Sequence, residues 1–287
     1  MIQDIFPSYL DNHYYPDRTA SSESAIVCFK NTNEILMYLD NETDKMEYPR
    51  FSQCNAIDNK QLVYLFSVDG EDFFLCEKEL KAPIGFSYYN IKKLRERYYE
   101  PKKYVYAAYT AYQLSEWYTV TCFCGKCGSR NMNDLKERAR VCPKCGNRIY
   151  PRINPAVIIG VTDKSNNKLI LTKYRTGFGH NSLVAGFTEI GETLEETVKR
   201  EVMEEVGLKI TRVRYYKSQP WGIASDILAG FFCDVEGDPS ITIDESELKY
   251  AEWVSPDDIE LQPLDYSLTN EMMRLFKDNG YEGTINL

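Results

Sequence analysis

The stretch Gly186–Leu208, GFTEIGETLEETVKREVMEEVGL, constrains this chain more than any other. Thr193 followed three residues later by Glu196 is a capping box and Gly207 a C-terminal stop, so the spacing predicts a helix over Leu194–Val206. At about 100° per residue, Glu201, Glu204 and Glu205 share one arc of that helix, and three carboxylates crowd one face. Like charges at i,i+4 cost a helix about 0.2–0.5 kcal/mol per pair. A solvated acidic face tolerates that cost. So does a hard divalent cation held by oxygen ligands, Mg²⁺ or Mn²⁺. Residue type alone leaves both readings open.

Length and charge bound the rest. A chain of 287 residues suggests two domains with ample core. Its net charge of −9 lacks the broad basic footprint of a dedicated nucleic-acid binder, so any RNA contact has to be local. No apolar run reaches the ~18 residues of a membrane span, and the first residues lack the basic start and apolar core of a secretion signal. The expectation is a cytoplasmic protein with no membrane partner. Of the nine cysteines, Cys28, Cys54, Cys76 and Cys233 are scattered and read as reduced core residues.

The other five cysteines cluster. Cys124-Gly-Lys-Cys127 and Cys142-Pro-Lys-Cys145 form C-x2-C…C-x2-C with fourteen residues between the pairs. Each pair suits a tight turn aiming two thiolates at one ion, and four thiolates at ~2.3 Å satisfy tetrahedral zinc. Two disulfides or a redox pair fit less well, because the knuckles carry the glycines and lysines of a zinc ribbon. A closed four-thiolate site keeps no open position, so this zinc is expected to be structural. Cys122 reads as a bystander.

Three segments result: an irregular α+β domain over 1–118, a zinc ribbon over 119–150, and a third domain over 151–287. In the first, Leu62–Val68 and Phe73–Cys76 read as strands of a hairpin turning at Asp69-Gly70, followed by a helix near Asn90–Tyr99. In the third, Ala156–Val161, Lys168–Tyr174, Leu183–Ala185, Val213–Tyr216, Ile227–Val235 and Leu248–Val254 read as strands, with a last helix over Ser267–Lys277. Strands before and after the glutamate helix imply a mixed sheet between helices.

The pattern G-x5-E-x7-R-E-U-x-E-E-x-G-U, with U aliphatic, is the signature of the Nudix hydrolases. Gly186–Leu208 resembles it at every specified position. A zinc ribbon directly ahead of it, with Ser218-Gln-Pro-Trp221 downstream, narrows the resemblance to the NADH pyrophosphatase subfamily. The resemblance implies an α/β/α sandwich and metal-dependent cleavage of NAD(H) to NMN(H) and AMP, with removal of NAD caps from RNA. It also implies a homodimer. The family's longer signature, SQPWPFPxS, here reads SQPWGIASD. Losing two prolines predicts a looser loop, the missing phenylalanine removes an aromatic surface, and Asp226 adds an anion.

Carried over residue by residue, the resemblance makes the Ala185 carbonyl, Glu201 and Glu205 ligands of Mg²⁺ or Mn²⁺, with Glu204 beside them. Glu247 aligns with a further carboxylate near the metals that orients or activates water. Arg200 is read as pairing with a carboxylate to position the glutamates. Tyr150, Gln219, Pro220, Trp221, Asp226 and Thr269 resemble substrate-binding positions, and Arg95 a substrate-contacting arginine of the N-terminal domain. Two rivals stand beside this reading: a Nudix diphosphatase for ADP-ribose or another nucleoside diphosphate derivative, and a non-catalytic nucleotide- or RNA-binding module. Loss of a ligand glutamate would favour the second, and none is lost.

Overall fold

The computed structural model describes residues 1–54, 57–176 and 179–285. Its contacts divide the chain into two units: Ile2–Arg152 together with Gly222–Ser225, and Met1 together with Ile153–Trp221 and Asp226–Leu287.

In the N-terminal unit, β1 (Leu10–Asp11), β2 (Ala25–Lys30), β3 (Glu34–Asp40), β4 (Lys45–Glu47), β5 (Leu62–Val68), β6 (Glu71–Cys76) and β7 (Ser87–Asn90) make one sheet. Its order is β1-β5-β6-β2-β3-β4, with β7 on β3. The hairpin read at Asp69-Gly70 is present between β5 and β6. Both turn residues have positive φ, 52° and 80°, the backbone a two-residue type I′ turn requires. Cys28, Cys54 and Cys76 pack with Ile26, Leu36 and Phe74 in the core. Burial pushes the Cys28 thiol up to about 11, so it behaves as a small apolar side chain.

The helix expected near Asn90–Tyr99 is a single 3₁₀ segment, Ile91–Arg95, capped by the Asn90 side chain. The long helix of this unit is α1 (Lys102–Val120), which starts directly after Pro101. Proline disfavours helical backbone at the residue before it, so a helix through Glu100 is blocked and one starting at Lys102 is not. The ribbon follows, with β8 (Met132–Asn133), β9 (Arg140–Val141) and β10 (Arg148–Ile149) in the order β10-β9-β8.

The C-terminal unit is a six-stranded mixed sheet. Its strands are β11 (Asn154–Asp163), β12 (Lys168–Tyr174), β13 (Val184–Phe187), β14 (Ile210–Trp221), β15 (Asp226–Val235) and β16 (Leu248–Val254), in the order β14-β15-β11-β12-β16 with β13 on β11. Only β11 and β15 run parallel among these pairings. Helix α2 (Leu194–Val206) covers one face and α3 (Leu268–Asn279) the other.

The continuous apolar run of β11 is explained by those two covers. Val157, Ile159 and Val161 meet Val198, Val202 and Val206 of α2, while Ala156 and Ile158 meet Leu268, Met272 and Phe276 of α3. A strand buried on both faces has no polar side to alternate with. At Gly160 an added Cβ would stand 2.5 Å from the Phe232 ring, so glycine lets that ring into the core. Among the described residues no helix is long and apolar enough to cross a membrane.

Candidate active site

Helix α2 begins and ends where its caps dictate. Thr193 Oγ1 accepts from the Glu196 amide at 3.2 Å, and the Glu196 carboxylate accepts from the Thr193 amide at 2.8 Å. At the other end Gly207 takes φ 70°, the left-handed conformation that terminates the helix. Between them Val198, Val202 and Val206 anchor one face to the sheet, and Glu201 and Glu205 are carried into burial beside them. Glu204 points out, its side chain 58% exposed. Packing against the sheet thus splits the three glutamates that share an arc.

Arg200 organises the acidic face. Its guanidinium donates to Glu192 at 2.6 and 2.9 Å, to Glu201 at 2.7 Å, to Glu204 at 2.9 Å and to the Phe187 carbonyl at 2.8 Å. Those hydrogen bonds hold the Glu192 carboxyl down at about 2. Gly186 lies against Glu201, and an added Cβ there would overlap the carboxylate. The signature glycine is therefore the space in which Glu201 sits.

Glu205 is the most deeply placed of the set, 2% exposed, and neither of its oxygens completes a hydrogen bond. Burial, then the charges of Glu201 and Glu247, push its carboxyl up to about 8, while the neighbouring Ala185 amide and Tyr174 hydroxyl pull the other way. Burial also raises Glu201, with Arg200 opposing. A buried carboxylate with two orphaned oxygens costs several kcal/mol unless a cation accompanies it (~1–3 kcal/mol for a neutral group, more for a charge). The all-oxygen donor set suits Mg²⁺ or Mn²⁺. Glu247 lies just before β16, exposed, with its charge felt by Glu201, Glu205 and Tyr174.

Sequence reasoning passed over Tyr174. It ends β12 and is half-buried, its hydroxyl 3.5 Å from the Ala185 carbonyl, and burial together with Glu205, Glu247 and Glu201 raises its pKa. No spacing signal marks it; only the pairing of Tyr174 with Leu248 brings it beside the Glu247 segment.

The remaining positions divide. Gln219 is fully buried and spends its amide on α3, donating to the Tyr266 carbonyl at 2.7 Å and accepting from the Leu268 amide at 2.7 Å. Thr269 lies buried in the first turn of α3, and Trp221 packs on the core cluster that includes Leu268 and Met272. Asp226 is buried and accepts from the Asn154 side chain at 3.2 Å, so it is no free surface anion. Pro220 is part-buried in the same strand end. Arg95 and Tyr150 belong to the N-terminal unit, Arg95 half-buried and Tyr150 53% exposed.

Ser218–Trp221 form no loop; they are the last residues of β14. The replaced residues are the turn Gly222–Ser225 and the first residue of β15. The turn is held, contrary to the expected loosening: an added Cβ at Gly222 would overlap the Tyr109 carbonyl of α1. A proline has no room there.

In the ribbon, Cys124, Cys127, Cys142 and Cys145 bring their sulfurs within 4.8 Å of one another, with Cys124 to Cys145 at 3.7 Å and Cys127 to Cys142 at 3.4 Å. Bonds of ~2.3 Å in a tetrahedron give edges of about 3.8 Å, so zinc fits. Cys122 stands outside this set, donating to the Tyr118 carbonyl at 3.4 Å. Among the described residues this is the only acidic, histidine or cysteine group so tightly gathered. The glutamates lie further apart, as uncompensated like charges do.

Residues 152–276 match the NUDIX domain and residues 122–150 the NADH pyrophosphatase zinc ribbon domain. Curated relatives named NAD-capped RNA hydrolase NudC include those of Enterobacter sp. (strain 638), 41% identical over 152 residues, and Shigella flexneri, 39% identical over 155. Each match covers 53% of this chain and 58% of the relative, so the chain spans under two thirds of those relatives' length. The chain therefore carries a Nudix domain directly behind an NADH pyrophosphatase zinc ribbon domain.

Proposed function

We propose that this protein hydrolyses the pyrophosphate bond of NAD(H), giving NMN(H) and AMP, and removes NAD caps from RNA. The observation that carries the reading is Glu205, buried with two orphaned oxygens beside Glu201 and Glu247. A fold keeps such a carboxylate where a cation is to be bound. Glu201, Glu205 and the Ala185 carbonyl would hold Mg²⁺ or Mn²⁺, which screens the two negative charges of a pyrophosphate and acidifies a bound water.

The chain's own residues do the rest. Arg200 fixes Glu201 and Glu204 in place, and Gly186 leaves Glu201 its room. Glu247, exposed beside the buried pair, is the carboxylate free to accept a proton from the attacking water. Trp221 offers an indole for stacking on a base. The resemblance adds a homodimer, which sedimentation of the purified chain tests.

A second reading, hydrolysis of ADP-ribose, is favoured by the Gly222–Ser225 turn, which carries no aromatic side chain. The deciding experiment compares NADH, NAD⁺, ADP-ribose and a short NAD-capped RNA, with Mg²⁺ and then Mn²⁺, against Glu205→Gln. Faster cleavage of NADH or capped RNA supports the proposal. Faster cleavage of ADP-ribose replaces it with the second reading, and full activity in Glu205→Gln refutes both.

A further inference from the structure

The ribbon carries charge opposite to the rest of the chain. Residues 122–150 hold seven basic and two acidic side chains, a net +5 within a chain of −9. Four thiolates around a divalent ion would take two units from that excess and leave it positive.

Strand pairing sorts these side chains by face. Phe123 stands opposite Arg130 in an antiparallel bridge, and Met132, Val141 and Arg148 lie opposite one another across β8, β9 and β10. Residues two apart on a strand point the same way, so one face runs Phe123, Arg130, Met132, Val141, Arg148. The opposite row includes Arg140, which is buried on Asn133. On the outward face Phe123 is 63% and Met132 62% exposed. Arg148 is engaged by Asp134 and Glu137. Among the described residues no carboxylate pairs with exposed Arg130, nor with Lys126 and Lys144 in the two knuckles.

An exposed ring beside unneutralised cations matches the chemistry of a single-stranded nucleic acid: bases stack on the aromatic surface and phosphates meet the cations, without regard to sequence. An acidic protein could pair with the cations, but a single strand supplies a base for the ring and a phosphate for the cation in every nucleotide. We propose that this face binds the 5′ region of the single-stranded RNA that carries the cap. The inference rests on the decapping reading above. Tyr150, which directly follows β10, is a position that the family resemblance reads as substrate-binding.

The test uses the full chain with Phe123→Ala and Arg130→Gln, both at exposed positions, with zinc content measured as the check on folding. Hydrolysis of NAD⁺ and of a short NAD-capped RNA is compared, and binding of the uncapped RNA is followed by fluorescence anisotropy against salt. Phe123→Ala is expected to lower kcat/KM for capped RNA roughly 5- to 100-fold, the loss of one base stack. Arg130→Gln is expected to reduce the salt slope of binding by about 0.7, the value of one single-strand phosphate contact. NAD⁺ hydrolysis should stay at the wild-type rate in both. Unchanged RNA binding in both variants overturns the inference, as does a parallel fall on NAD⁺ and capped RNA. A changed sedimentation coefficient with RNA binding intact assigns the face to a second copy and likewise overturns it. If wild type cleaves neither substrate, the functional reading fails while the anisotropy still decides the face.

Discussion

Gly186→Ala tests the site at its narrowest point. The added Cβ would overlap the Glu201 carboxylate, and an ordinary contact needs 3.4–4 Å, so the carboxylate has to retreat by more than 1 Å. It would leave the Arg200 guanidinium, now 2.7 Å away, which also holds Glu192 and Glu204 and stays anchored without it. A charged hydrogen bond contributes about 1.5–3 kcal/mol. The retained partners put the loss at the lower end, and at about 2–4 °C per kcal/mol the melting temperature falls by only a few degrees. Activity should suffer more, because a displacement of about 1 Å in a positioned group costs on the order of 10²-fold in rate. Steady-state hydrolysis of NADH across a Mg²⁺ titration, beside thermal melts, measures both effects. Wild-type turnover in a folded Gly186→Ala protein would refute the argument that this glycine exists to seat Glu201.

Three further outcomes are expected. Asp234 is buried, which raises its pKa, but hydrogen bonds from Arg214 and Tyr281 outweigh that and hold the carboxyl low. A lowered carboxyl stabilises above its unfolded value of about 3.9 and loses that contribution as pH falls through the folded one. Asp234→Asn should therefore cost about 1–3 kcal/mol at pH 7 and much less in strong acid. Urea denaturation at both pH values checks it, an equal gap at each being the contrary result. Cys142→Ser removes a fully buried sulfur from the four-cysteine site and should abolish stoichiometric zinc in metal analysis while lowering the melting temperature. Zinc retained at one per chain with wild-type melting would exclude that assignment. Phe276→Ala empties a fully buried position between α3 and the sheet and should cost about 3–5 kcal/mol by urea denaturation. A loss under 1 kcal/mol would mean the packing does not depend on that ring.

Local rules made much of this molecule legible without coordinates. The capping box at Thr193 and Glu196 and the stop at Gly207 give α2 its observed ends, because helix termini are set by short-range hydrogen bonds. Asp69-Gly70 announces its hairpin for the same kind of reason, and the cysteine spacing announces a site whose sulfurs converge. Helix α1 was not legible. Its sequence, KKYVYAAYTAYQLSEWYTV, is rich in β-branched and aromatic residues and buried around much of its circumference, so no clean stripe appears.

What tertiary structure alone decided is how equal-looking residues differ. Three glutamates on one helical arc become an exposed one, a buried one tied to Arg200, and a buried one with orphaned oxygens, because only the sheet under α2 defines which direction is inward. Gln219, a substrate-binding position by resemblance, also holds the start of α3. Gly222 looked like the loosening of a loop and proves to be the close approach of that turn to the Tyr109 carbonyl. Residue type and spacing determined the chemistry available to this protein. Burial and long-range contact, which no local pattern encodes, determined which residues are left free to use it.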